Sequence, residues 1–127
     1  MDVKKAISYS AVICMALFLL FYNLDDRLLW GDEAETALLA QNIGKYKVPK
    51  VTDGKNVITL LGKGHDYNDD NIWVWSPWLD EYVAAASFVI LGKSTFSARL
   101  PFALIGFLSV LLLARVTHNI YGKHGLT

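Results

Sequence analysis

The chain reads as an all-α integral membrane protein, with about three transmembrane helices and an interfacial helix in a long external loop. Three observations predict this class. Hydrophobic residues make up 54% of the chain and its mean hydropathy is +0.32, high for a soluble domain. Three apolar runs stand out, at residues 6–22, 78–91 and 100–116. Tryptophans (Trp73, Trp75, Trp78) gather at the entrance to the second run, as amphipathic rings do at a headgroup interface. The 127 residues allow one domain. Lys plus Arg equals Asp plus Glu at twelve each, so no charge excess points to nucleic acid. The lone cysteine, Cys14, lies inside the first run; no intrachain disulfide can form, and it reads as a small packing residue.

The first run carries no charge and is about 25 Å long as a helix, close to the ~30 Å hydrocarbon thickness. Lys4 and Lys5 before it could open a secretory signal. Its exit through Phe21-Tyr22-Asn23-Leu24-Asp25-Asp26 offers no small-residue cleavage site, so an uncleaved anchor is the better reading. The loop 23–76 follows. Gly31-Asp32-Glu33-Ala34-Glu35 opens a helix whose apolar positions Ala34, Ala37, Leu38 and Ile43 keep a helical spacing. Gly44 ends it, Pro49 forbids a nearby restart, and the helix is expected to lie along the interface. Residues 51–71 are polar and glycine-bearing and read as loop, with one apolar patch at 57–61.

The second run is imperfect, because Asp80 and Glu81 must be near water or partnered. In the third, Pro101 is tolerable in a first helical turn, whose N–H groups have no intrahelical partner. Positive-inside counting puts Lys4 and Lys5, and Lys93 and Arg99 between the second and third runs, in the cytoplasm. The N-terminus is then cytoplasmic and the acidic loop 23–76 external, on the periplasmic side of a bacterial inner membrane. Arg115, Lys123 and two histidines beyond the third run would also be external, against the rule.

Asp32 and Glu33 are the candidate catalytic residues. Adjacent carboxylates just outside a bilayer face the headgroups, where one could serve as a general base toward an acceptor hydroxyl. The competing reading is a capping box, Asp32 with Glu35 three residues on, at a helix start that suits acids. His65-Asp66, with Asp69 and Asp70 nearby, is a weak metal candidate lacking pre-organised ligand spacing; a solvated loop is the plainer reading. The tryptophans could stack on sugar rings or simply anchor the interface. Lys45, Lys47, Lys50, Lys55 and Lys63 could meet lipid phosphates or be ordinary solvated charge. No substrate-binding residue is assigned.

The order of these features resembles the N-terminal part of the GT-C class of membrane glycosyltransferases, in the branch of protein O-mannosyltransferases and aminoarabinose transferases. The resemblance covers about residues 5–122. It rests on Trp30-Gly31-Asp32-Glu33-Ala34-Glu35 with Ala37, Ala40, Gly44 and Pro49; on Ser76-Pro77-Trp78-Leu79-Asp80-Glu81-Tyr82 with Ala84 and Ala85; and on Leu91-Gly92 and Arg99-Leu100-Pro101. It implies transfer of a sugar from a polyprenyl-phosphate-linked donor to a hydroxyl acceptor, on protein or lipid, at the outer membrane face. Asp32 would be the base or, in some branches, a metal ligand, and Glu33 its support; the cofactor is not assigned and a divalent metal stays open. Relatives often carry lysine and paired prolines where this chain has Trp75-Ser76-Pro77. They are also several hundred residues long, so the resemblance implies an N-terminal fragment, not active alone. The alternative is a small three-span membrane protein that binds or assembles a partner without catalysis.

Overall fold

The computed structural model describes residues 3–121. Among them the chain is all-α, in the order α1 (Val3–Phe21), α2 (Gly31–Tyr46), α3 (Leu79–Leu91) and α4 (Thr95–Tyr121). No strand forms; residues 50–73 make only isolated bridges such as Lys50 with Ile72 and Tyr67 with Trp73. Lys123 and His124 lie outside the described residues. The chain divides into two units, residues 1–24 with 102–127, and residues 25–101.

In the first unit, α1 and the distal part of α4 run antiparallel. Phe21 meets Phe107 edge-on at 6.2 Å between ring centroids, and Tyr9 meets His118 at 6.0 Å. Gly106 faces Leu20, whose methyls would be in ordinary contact with a Cβ placed there, at 3.4 and 3.7 Å. α4 is the one described helix long and apolar enough to cross a membrane, over Thr95–Ile120. The apolar stretch of α1, Ile7–Phe21, is shorter.

The second unit is built on α2 and α3. Small residues let them pack closely: Ala37, Ala40 and Ile43 of α2 meet Ala84, Ala85 and Phe88 of α3 and Ala98 of α4. A second cluster places Leu39 against Val51 and Trp73, all buried. Tyr82 ties the helices at one end by donating to the Lys47 carbonyl at 2.8 Å. Lys47 closes α2 in the left-handed region at φ 67°, its N–H on the Ile43 carbonyl. The helix therefore runs two residues past Gly44, where the sequence predicts its end; with no positive φ, Gly44 is an ordinary helical residue.

Three expectations are corrected. The run 78–91 forms a helix of 13 residues, about 20 Å long, short of the ~30 Å a span must cross. It buries Glu81, Ala84, Ala85, Ser87 and Phe88 in the second unit. Trp73 is an internal residue, 2% exposed, donating from Nε1 to Ser76 Oγ, while Trp78 Nε1 donates to the Trp73 carbonyl. Only Trp75 of the three is openly exposed.

The third concerns Pro101. α4 begins at Thr95, behind Ser94 and Ser97, which exchange backbone-to-hydroxyl bonds of 2.9 and 3.1 Å as a reciprocal cap. Pro101 thus lies in the second turn, where its missing N–H leaves the Ser97 carbonyl without its intrahelical donor. Ser87 of α3 supplies one, its Oγ donating to that carbonyl at 2.6 Å.

Candidate functional site

The site is built at the start of α2. Trp30, extended at φ −113° and ψ 153°, precedes the helix and makes no side-chain cap. Asp32 and Glu33 therefore fall inside the first turn, and the expected Asp32–Glu35 capping box does not form. A cap must sit on the extended residue before the helix, whereas Asp32 is already helical.

The two carboxylates have different surroundings. Glu33 is gripped by Arg99, whose Nη2 lies 2.8 Å from Oε2 and whose Nε lies 3.1 Å from Oε1. The pair is bidentate and half-shielded, with the Arg99 side chain 18% and the Glu33 side chain 39% exposed. These bonds hold the Glu33 carboxyl below the usual range, burial opposing them in part. Arg99 also donates to the carbonyls of Arg27 and Leu28, at 3.0 and 3.3 Å. It thus clamps the strand of chain entering α2 to the first turn of that helix. Asp32 is exposed and forms no ion pair among the described residues.

On the premise that 78–91 is a span, the sequence sets Arg99 apart from Glu33; in the structure the two side chains are in direct contact, and α3 is 13 residues long. No local signal in the sequence connects residues 66 positions apart.

Further acids approach the same helix. Glu35 is half-buried, and its carboxyl is raised above the usual range by that burial first, then by the charges of Asp32, Asp66 and Asp80. Glu81, 2% exposed, keeps Oε2 without a hydrogen-bond partner among the described residues, while Oε1 accepts from Ser76 Oγ at 3.5 Å. Asp80, half-buried, is the more open of the pair.

His65 and Asp66 do not converge as ligands. Asp66 is 2% exposed, and its Oδ2 accepts from Thr59 Oγ1 and the amides of Leu60 and Leu61, each at 2.7 Å, and from the Gly62 amide at 3.3 Å. The Leu61 amide is the strongest of the donors that hold the Asp66 carboxyl down at about 2. Asp66 is the hub of the 59–66 loop, and Asp69 is engaged with Lys63 at 2.7 Å. Among the described residues no group of three or more histidine, cysteine or acidic side chains could hold a metal ion.

No protein-family model, curated protein or solved structure matches the chain.

Proposed function

We propose that the chain carries the acceptor-activating site of a membrane glycosyltransferase of the GT-C type, with Asp32 as general base and Glu33 as its support. One observation carries the reading: of two adjacent carboxylates, Glu33 is fixed by Arg99, while Asp32 does not cap its helix and forms no ion pair among the described residues. Here one acid is spent on architecture and the other faces outward.

In the reaction, Asp32 takes the proton of an acceptor hydroxyl within hydrogen-bond reach. The oxygen attacks the anomeric carbon of a sugar carried on polyprenyl phosphate, the carbon–oxygen bond to phosphate breaks, and the lipid phosphate leaves with inversion. The donor lipid, the bilayer and an acceptor protein or lipid are the partners. Arg99 acts as a positioning residue, since its N–H groups address Glu33, Arg27 and Leu28.

The same reading takes α4 as a membrane span and puts the loop 23–76, with Asp32, on the external side and the N-terminus in the cytoplasm.

The test is sugar transfer by the complete enzyme that carries this segment, in membranes supplied with labelled polyprenyl-phosphate donors, for Asp32→Asn beside the exposed control Asp26→Asn. Loss of transfer in the first alone, at equal insertion, is expected. Turnover retained by Asp32→Asn sinks the proposal and leaves the partner-docking alternative, for which that substitution is near silent.

A further inference from the structure

At the other end of α2 from Asp32 lies a cleft of about 310 Å³ between α2 and α3. Its walls are Ala40, Gly44, Ala85, Phe88 and Val89 with one polar side chain, Gln41, and lysines 45 and 93 flank it. That volume is at the lower end for a small-molecule site. Its character is amphiphilic in one direction: apolar walls, two cations and no acidic lining residue. Neither lysine joins an ion pair among the described residues; Lys45 rests over the Tyr46 ring at 4.7 Å. Beside the cleft, α3 turns Val89 (81% exposed) and Ile90 (78% exposed) outward, an apolar rim just ahead of the long apolar helix that starts at Thr95.

We infer that this cleft binds an anionic phospholipid, its acyl chain along the Ala85–Val89 face and its phosphate between Lys45 and Lys93. The charge pattern selects the occupant. A neutral hydrophobic peptide would leave two lysines unused, and a soluble phosphate would leave the apolar walls wet. Asp32 and Lys45 are thirteen helical residues apart, about 20 Å. A phosphate bound here is too far to be the leaving group at Asp32, so the lipid is a bound component of the fold at the interface. The inference stands or falls independently of sugar transfer.

The experiment is native mass spectrometry of the full chain in detergent, titrated with phosphatidylglycerol or phosphatidylcholine. Phosphatidylglycerol should be retained over phosphatidylcholine. K45A/K93A should weaken that retention roughly 25-fold, at about fivefold per lysine near an anionic headgroup. The control K55A/K63A removes the same charge away from the cleft and should change it less than about threefold, under the fivefold of one lysine at the headgroup. Gly44→Leu keeps both lysines and puts a side chain at the cleft, where an added Cβ meets nothing within 4 Å; with the helical content unchanged by circular dichroism, lipid should be lost. Equal loss in both lysine pairs would show bulk charge attraction and overturn the site. So would retention by K45A/K93A, full binding by Gly44→Leu, or displacement of the lipid by equimolar inorganic phosphate.

Discussion

Replacing Glu33 by glutamine keeps the shape of the side chain and removes the charge that Arg99 holds. The worth of that clamp can be bounded from its geometry. Two hydrogen bonds at 2.8 and 3.1 Å to a charged partner would be worth about 1.5–3 kcal/mol each if dry. A fully exposed pair is worth about 0.2–1 kcal/mol. With Glu33 39% exposed, solvent screening pulls the value toward the lower range, and we take about 1 kcal/mol of coupling. That corresponds to roughly 4 °C in the unfolding midpoint of a chain this size. The assay is thermal unfolding in detergent of the wild type, Glu33→Gln, Arg99→Met and the double variant, read as a cycle. The pH dependence gives a second handle. Because the folded carboxyl is lowered from 4.5, its contribution is present above that value and is lost as pH falls through the folded one. The gap between wild type and Glu33→Gln should therefore be full at pH 7 and close below pH 4.5. A coupling under about 0.3 kcal/mol, the scatter of such cycles, or a gap that widens in acid, would refute the clamp.

The other expectations concern single residues. Leu39→Ala opens a cavity against Val51 and Trp73 and should cost about 3 kcal/mol in unfolding experiments. Ser87→Ala leaves the Ser97 carbonyl above Pro101 without its donor and should cost about 1–3 kcal/mol, whereas Ser109→Ala, whose hydroxyl returns to its own helix, should be nearly neutral. Asp66→Asn should speed hydrogen exchange of the Leu60 and Leu61 amides by about tenfold or more, while His65→Ala leaves them unchanged. With the Asp66 carboxyl at about 2 instead of 3.8, their wild-type protection should persist at pH 4 and fail only as pH approaches 2. Glu35→Gln should raise the unfolding midpoint at pH 7 and not at pH 4, since a raised carboxyl contributes fully only below its ordinary value.

What the sequence made legible was local. The apolar run at 100–116, the helix opening at Gly31 and the polar stretch 51–71 each follow from composition and punctuation within a few residues. Misreadings arose where tertiary packing competes with lipid for the same apolar side chains. Residues 78–91 are as apolar as a span, but their alanines fit the alanines of α2, and hydropathy does not distinguish those two fates. Nor does hydropathy bring Arg99 to the acid it binds. For the same reason hydropathy suggests an interface ring at Trp73, although its indole lies beside Leu39. Of the site, the Asp32-Glu33 pair was visible; the division of labour between them was not, because it depends on a cation 66 residues away.

The joint at Pro101 bears on how the chain is assembled. A proline in a helix normally leaves a defect that the helix itself must absorb by bending. Here the missing donor is replaced by Ser87, which emerges from the ribosome ten residues before the carbonyl it will satisfy. The beginning of α4 is thus incomplete by itself and becomes whole only against α3. Synthesis from the N-terminus thus delivers the repair before the fault.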